Sequence, residues 1–153
     1  MSDVNIHASC IAIGPHGVLL LGPSGAGKSD LALRLIDEGA RLVADDRTIL
    51  FVSRHALHAK APPSIKGLIE IRGLGIVELP VRASVKIVLA VRLGKEGARL
   101  PGLRIYQAPT ILRPRTPPPL IALNAHFAST PARIRAALAA FSRDGLRDTF
   151  HLK

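Results

Sequence analysis

Residues 22–29, GPSGAGKS, have the residue types and the spacing of a phosphate-binding loop, because they match G-x-x-x-x-G-K-[ST] at every fixed position. The glycines let the backbone wrap around phosphate oxygens with several N–H groups directed inward. Lys28 adds a positive charge for the outer phosphates, and the Ser29 hydroxyl can ligate Mg²⁺. The segment therefore predicts a site for a nucleoside triphosphate or a similar polyphosphate. The predicted nucleotide-binding residues are Gly22, Pro23, Ser24, Gly25, Ala26, Gly27, Lys28 and Ser29.

The flanking residues predict a strand before this loop and a helix after it. Residues 17–21, GVLLL, form a short apolar run that is typical of a buried parallel strand. Residues 30–38 are mostly good helix formers, and Gly39 follows where a helix would end. A helix that begins at the loop would direct the positive end of its dipole at bound phosphates. The order of strand, loop and helix argues against the alternative, a glycine-rich turn that matches by chance.

Two adjacent carboxylates, Asp45 and Asp46, close a short apolar run at residues 41–44. Carboxylates there can hold Mg²⁺, directly or through water, or accept a proton from an attacking hydroxyl. Neighbouring side chains on an extended chain point to opposite sides, so one aspartate can face a site while the other anchors a neighbour. The alternative is an acidic turn after a strand. The short interval after the loop favours a compact, kinase-like arrangement in which the next strand delivers the acid.

A second charged pair, Glu70 and Arg72, flanks Ile71 in a segment that contains three glycines. On an extended chain both charges lie on one face. A carboxylate and a guanidinium beside glycines suit metal–phosphate chemistry, with the acid on Mg²⁺ and the arginine on phosphoryl oxygens. The alternative is an exposed salt bridge, and the spacing alone does not decide between the two.

The composition is that of a globular protein with one domain. The 153 residues are 48% hydrophobic but only 3% aromatic, so the core must be aliphatic. No apolar run approaches the ~20 residues of a membrane span, and the first residues lack the features of a signal peptide. Cys10 stands alone, which excludes an internal disulfide and suits a reducing compartment. We therefore expect a cytoplasmic protein without a membrane partner.

The net charge of +10 favours anionic partners. The basic residues are scattered, without a dense run or interleaved aromatic residues, so a nucleic-acid partner is not favoured. Phosphate ligands and an acidic protein partner account for the charge at least as well.

The rest of the chain predicts a single α/β domain over residues 1–153. A basic loop at residues 94–104 and a proline-rich stretch at residues 108–120 belong at an edge or on the surface. Thr130 and Pro131 predict an N-cap followed by proline at the first helical position, and so a short C-terminal helix at about residues 131–142. Strands are expected at residues 4–13 as one or two pieces, 17–21, 41–44, 48–52, 55–59 and 85–93.

Taken in order, four features strongly resemble the catalytic domain of the HPr kinase/phosphorylase (HPr serine kinase) family. They are His7, the loop at residues 22–29, LVADD at residues 42–46 and LIEIRGLGI at residues 68–76. LVADD just after the loop helix, and the signature loop at residues 68–77, are far more specific than the phosphate loop alone. The resemblance covers residues 4–93 well and the remainder loosely. It identifies the chain as a short form that consists of the C-terminal catalytic domain only.

The resemblance implies a fold, an activity and an assembly. The fold would be a compact P-loop kinase core like that of phosphoenolpyruvate carboxykinase, in a homo-oligomer that is a hexamer in the family. The activity would be phosphorylation of a serine of HPr, the phosphocarrier protein of the bacterial phosphotransferase system, with ATP and Mg²⁺. The family also dephosphorylates seryl-phosphorylated HPr with inorganic phosphate and releases pyrophosphate. Its phosphorylase-associated loop has only a loose counterpart here at residues 114–119, so the kinase activity is better supported.

The resemblance also implies roles for individual residues. Asp46 corresponds best to the carboxylate that takes the serine proton, and His7 lies where the family has a catalytic histidine. Arg99 corresponds to a later catalytic arginine, although its alignment runs through a divergent loop. The implied catalytic set is His7, Lys28, Asp46, Arg72 and Arg99. The implied Mg²⁺ shell is Ser29, Asp45 and Glu70, with the division of labour between the two aspartates left open.

Two other functions remain open. A P-loop kinase for a small metabolite would need a lid and a substrate pocket, for which little chain remains after the core. A non-catalytic nucleotide-sensing regulator would keep the loop and would be free to lose the rest of the site. The presence of Asp46, Glu70 and Arg72 argues against the second alternative.

Overall fold

The computed structural model describes residues 2–99, 102 and 104–142, and the ends of the predicted domain, residue 1 and residues 143–153, lie outside these ranges. Helices α1 (Lys28–Asp37) and α2 (Thr130–Ser142) accompany a 3₁₀ turn at Pro63–Ile65. The strands are β1 (Val4–His7), β2 (Ser9–Ile13), β3 (His16–Leu21), β4 (Arg41–Ala44), β5 (Arg47–Ser53), β6 (Ala56–Lys60), β7 (Leu68–Ile71), β8 (Gly75–Glu78), β9 (Ser84–Leu93) and β10 (Leu120–Leu123). Neither of these helices is long and apolar enough to cross a membrane.

Eight of the strands form one mixed sheet in the order β1-β5-β6-β9-β3-β2-β4, with β10 beside β9. Strand β9 has ten residues and pairs with three other strands. Its first part pairs with β6, its second part pairs with β10, and β3 runs along its other side. Strands β3, β9 and β10 are parallel to one another. Their carboxyl ends therefore meet at one edge of the sheet, which is where ligands of α/β proteins bind.

The core lies on both faces of this sheet, and consecutive residues of the buried strand β3 alternate between them. Leu20 packs with the helical residues Leu31 and Ile134 on one face. Leu19 packs on the other face, which the segment after β9 covers with Tyr106 and Leu112. The helices and the proline-containing segment therefore enclose the sheet from opposite sides, and the predicted single α/β domain with an aliphatic core is confirmed over the described residues.

Most predicted elements are confirmed, with two differences. The predicted strand at residues 41–44 is confirmed as Arg41–Ala44, with three buried residues, at the sheet edge beside β2. Strand β10 was not predicted, because only four apolar residues follow the run of prolines that ends at Pro119. The predicted N-cap at Thr130 is wrong: Thr130 is itself helical and fully buried, and its hydroxyl donates to the Asn124 carbonyl at 2.6 Å.

Candidate active site

The loop at residues 22–29 joins β3 to α1, as predicted, and its glycines are required by its geometry. Gly22, Gly25 and Gly27 have φ angles of 146°, 86° and 98°, a region that favours glycine. A Cβ atom on Gly22 would lie 3.0 Å from the Leu93 carbonyl oxygen, and one on Gly27 would lie 2.9 Å from the Ala125 Cβ. The loop is therefore in close contact with the end of β9 and with Ala125, two residues after β10.

Lys28 is buried at the start of α1, and its ammonium group is folded back onto the loop. Its Nζ donates to the carbonyl oxygens of Gly22 at 2.6 Å and Pro23 at 2.9 Å. Burial lowers the pKa of Lys28, and the nearby carboxylates of Asp46 and Asp45 oppose that change. The ammonium group thus lies in the field of both aspartates, with loop carbonyls as its direct partners.

Asp45 is the buried member of the acidic pair, and it holds the loop serine. Its Oδ1 accepts hydrogen bonds from the Ser29 hydroxyl at 2.7 Å and from the Ser9 hydroxyl at 3.0 Å. Its Oδ2 accepts a longer one from the Glu70 backbone N–H at 3.4 Å. Asp45 therefore joins the phosphate loop, the sheet and β7 at one point, as expected for the aspartate that anchors its neighbours.

Asp46 is the exposed member of the pair, and its side chain turns toward open solvent. Its φ of 69° is uncommon for a residue with a side chain, and such backbone strain persists only where the surroundings hold it. Ser9 Oγ accepts the Asp46 N–H at 3.1 Å, and the Asp46 carbonyl accepts the Ala8 N–H at 3.1 Å. The Asp46 carboxylate contacts the His7 Nε2 at 3.0 Å. This backbone conformation separates the two carboxylates, one inward and one outward.

Strands β7 and β8 form a hairpin beside α1 that supplies the second charged pair. Glu70 lies on β7, whereas Arg72 lies in the turn that follows it. The prediction that both occupy one face of an extended segment is therefore wrong for Arg72, because the strand ends at Ile71 and the chain turns at Gly73, whose φ is 88°. Both charged side chains nevertheless reach the same cleft.

A cleft of about 570 Å³ runs across the carboxyl edge of the sheet, a volume within the range for small-molecule sites. It brings together four of the five predicted catalytic residues and most of the phosphate loop. Asp45 lies behind its wall, bonded to Ser29. The lining residues are His7, Ser24, Gly25, Gly27, Lys28, Ser29, Asp30, Leu33, Asp46, Glu70, Ile71, Arg72 and His126.

Arg99 is the predicted catalytic residue that does not line the cleft; it is exposed in the loop after β9, and its role stays a prediction. Four contributors, Ser9, Asp30, Leu33 and His126, were not predicted from the sequence. Ser9 gave no signal, since it is one small residue in an apolar strand. Asp30 and Leu33 follow from the helix that begins in the loop, because they lie on its cleft-facing side. His126 would have been found had LIAL at residues 120–123 been recognised as a parallel strand.

The arrangement fits a magnesium ion that depends on phosphate oxygens and water for most of its ligands. Among the described residues no group of three or more His, Cys, Asp or Glu side chains could hold a metal by itself. The Ser29 hydroxyl and the Asp45 carboxylate, which are hydrogen-bonded at 2.7 Å, provide oxygen ligands for such a site. Mg²⁺ commonly binds through one or two carboxylates together with substrate phosphates. The predicted shell of Ser29, Asp45 and Glu70 is therefore chemically suitable.

The fold and the site define an α/β protein built around a strand, a glycine-rich loop and a helix, with an acidic pair at the loop. The model of the family described as HPr Serine kinase C-terminal domain matches residues 1–95. The chain belongs to this family, and the resemblance drawn from its sequence is confirmed.

Named relatives and a solved structure agree with this assignment. An HPr kinase/phosphorylase from Thermoanaerobacter sp. (strain X514) is 43% identical over 99 residues, which cover 60% of this chain and 32% of that protein. One from Lactobacillus acidophilus is 45% identical over 76 residues, 49% of this chain and 24% of that protein. The structure of the Hpr(Ser) kinase/phosphatase from Coxiella burnetii matches with a TM-score of 0.74 and 27% identity, over 92% of this chain and 96% of that one. The chain thus spans about a third or less of the curated relatives' length.

Proposed function

We propose that this chain is the catalytic domain of a kinase that transfers the γ-phosphoryl group of ATP to a serine of HPr. One observation carries the proposal: the phosphate loop and the exposed Asp46–His7 pair open into a single cleft. A phosphate donor held by the loop and a hydroxyl acceptor beside Asp46 would meet there. The identity of the acceptor comes from the names of the relatives.

The loop side of the cleft would bind the nucleotide. Loop N–H groups would surround the phosphates, and the Lys28 ammonium group would move from the loop carbonyls to the outer phosphate oxygens. The Ser29 hydroxyl, oriented by Asp45, and the Glu70 carboxylate would hold Mg²⁺. The metal, when bound, would neutralise charge on the phosphates and align them for transfer.

The Asp46 side of the cleft would activate the acceptor. The serine hydroxyl would lose its proton to the Asp46 carboxylate as its oxygen attacks the γ-phosphorus in line, and ADP would leave. His7 lies 3.0 Å from that carboxylate and would fix its orientation. Arg72, which lines the same cleft, would stabilise the charge on the transferring phosphoryl group. Arg99, exposed in the loop after β9, is proposed as a second arginine for this charge.

The surroundings of the cleft support a protein acceptor over a small metabolite. The β7–β8 hairpin carries Leu74 and Ile76 with 75% and 72% of their surface exposed, next to cleft residues on the same hairpin. Exposed apolar residues grouped beside a site mark a surface for a protein partner. We also propose the reverse reaction, in which inorganic phosphate accepts the phosphoryl group from the serine and Asp46 returns the proton. A cytoplasmic homo-oligomer, hexameric as in the family, completes the proposal.

The test is transfer of γ-labelled phosphate from Mg-ATP to purified HPr, followed by excess inorganic phosphate. Label on an HPr serine is the expected result, and its loss with release of pyrophosphate would establish the reverse reaction. ATP binding without label on HPr would contradict the kinase and favour the nucleotide-sensing regulator. Label on a small metabolite, with none on HPr, would favour the metabolite kinase.

A further inference from the structure

The segment between β10 and α2, residues 124–129, forms one wall of the cleft. A Cβ atom on Gly27 would lie 3.2 Å from the His126 Cε1 and 3.7 Å from its Nε2, so the imidazole ring lies against the loop backbone. The ring is exposed to the cleft. Within the described part of the chain its ring nitrogens have no hydrogen-bond partner. An imidazole N–H is therefore available beside the residue that precedes Lys28.

This segment is held in a defined turn by its own polar groups. The His126 N–H donates to Asn124 Oδ1 at 2.8 Å, and the Thr130 hydroxyl donates to the Asn124 carbonyl at 2.6 Å. The Thr130 N–H donates to the Phe127 carbonyl at 3.1 Å. These contacts fix the backbone on both sides of His126.

Arg34, on α1, ties the segment to the helix that follows the phosphate loop. Its guanidinium group donates to the carbonyl oxygens of Ala125 and Phe127, the two residues that flank His126. Its Nε lies 3.2 Å from a carboxylate oxygen of Asp30, which lines the cleft one helical turn earlier. One planar, multidentate group therefore sets the position of His126 relative to the loop, a task suited to arginine.

We propose that His126 contacts the phosphate chain of the bound ligand, donating a ring N–H to a phosphate oxygen, and that Arg34 is its positioning residue. The proposal rests on the proposed function, because it requires a polyphosphate in the loop. A phosphate contact is favoured over a base contact because the ring lies at Gly27, whose neighbours in a phosphate loop bind phosphate oxygens through their N–H groups. The acids Asp30, Asp46 and Glu70 also line the cleft, so a further donor would help to hold an anion there.

Calorimetric titration with Mg-ATP and with magnesium pyrophosphate tests the contact. His126→Ala is expected to raise both dissociation constants about tenfold, the size of a hydrogen bond to a charged group. His126→Gln, which retains an N–H donor, should restore most of the affinity, whereas His126→Phe should not. The matched control is His16→Ala, at the opposite end of β3 from the loop.

Three outcomes would overturn the contact. If His126→Ala binds both ligands with the affinity of the wild type, His126 does not contact the phosphates, and the kinase proposal is unaffected. Weaker ATP binding with unchanged pyrophosphate binding would assign the ring to the nucleoside. Failure of the wild-type protein to bind either ligand would sink both proposals together.

The positioning role of Arg34 has a separate test. Arg34→Ala should weaken the binding of both ligands. The double variant Arg34→Ala/His126→Ala should bind them no more weakly than the single variants, because both substitutions remove the same contact. The control is Arg135→Ala, which breaks the α2 tether to Glu38 at the far end of α1. Additive losses, or an equal loss in the control, would contradict positioning through Arg34. Thermal unfolding of each variant separates loss of affinity from loss of folding.

Discussion

The two sides of the cleft differ in burial and in the number of hydrogen bonds that hold them. On the loop side, Lys28 and Asp45 are buried and each makes more than one hydrogen bond to fixed groups. On the other side, Asp46 is 67% exposed and its carboxylate contacts His7 alone among the described residues. A site that holds one ligand tightly and admits a second from solvent needs both kinds of surface. Adjacent aspartates therefore take opposite positions here, one buried and one exposed, because the backbone turns between them.

The largest expected effect is on the rate of phosphoryl transfer, after substitution of the exposed Asp46. Asp46→Asn should lower the single-turnover rate of phosphoryl transfer by about 100-fold or more, because general-base catalysis contributes on that order. The affinity for Mg-ATP should stay within about twofold, measured by calorimetry. Asp3→Asn is the control, since Asp3 pairs with Lys60 outside the cleft. An unchanged rate in Asp46→Asn would remove Asp46 from the proton transfer.

The next largest expected effect is on the affinity for Mg-ATP, after substitution of the buried Lys28. Lys28→Ala should weaken Mg-ATP binding by about tenfold or more, because it removes a charged donor to the phosphates. Equilibrium binding of a fluorescent ATP analogue measures it, and Lys86→Ala, an exposed residue of β9, is the matched control. Equal affinities in wild type and Lys28→Ala would show that the loop does not bind phosphate as proposed.

A smaller effect is expected on KM for the protein acceptor, after substitution of an exposed residue of the β7–β8 hairpin. Leu74→Ser should raise KM for HPr by about three- to tenfold, consistent with about 1 kcal/mol of lost apolar burial, without changing kcat or ATP affinity. Ile111→Ser is the control, because Ile111 is similarly exposed, at 63%, in the proline-rich segment. If both substitutions act alike, the hairpin is not a specific contact.

The smallest expected effect is on the stability of the fold, at Ser9, whose hydroxyl bonds to both aspartates. Ser9→Ala removes the hydroxyl that donates to Asp45 and accepts from the Asp46 N–H, and should lower the free energy of unfolding by about 1 kcal/mol. Urea denaturation measures this change, with the exposed Ser84→Ala as the control. A loss no larger than that of Ser84→Ala would mean that Ser9 does not hold the turn between the aspartates.

What the sequence predicted well was local. The phosphate loop, its flanking strand and helix, and strands β5 and β6 follow from short-range patterns of glycine and apolar residues. The family resemblance added His7 and the signature loop, which local pattern alone does not connect. Asp45 and Asp46 were predicted to point to opposite sides of an extended chain, one toward a site and the other toward a neighbour. The structure separates the two carboxylates, but through the positive φ of Asp46 rather than through an extended backbone.

What the sequence could not predict depends on which strands pair. Ser9 reaches Asp45 because β2 pairs with β4. His126 reaches the loop because β10 lies beside β9, and a four-residue strand after three prolines carries too little pattern to be recognised. The sheet order depends on β9 pairing with different strands along its length, which no local feature specifies.

The most direct test of the divided aspartates is the single-turnover rate of transfer to HPr as a function of Mg²⁺ concentration, in Asp45→Asn and Asp46→Asn. High Mg²⁺ is expected to restore much of the transfer rate of Asp45→Asn, because that residue orients the Ser29 end of the metal site. No Mg²⁺ concentration is expected to restore the rate of Asp46→Asn, because a proton acceptor is missing. Rescue of Asp46→Asn by Mg²⁺, with none for Asp45→Asn, would reverse the two proposed roles.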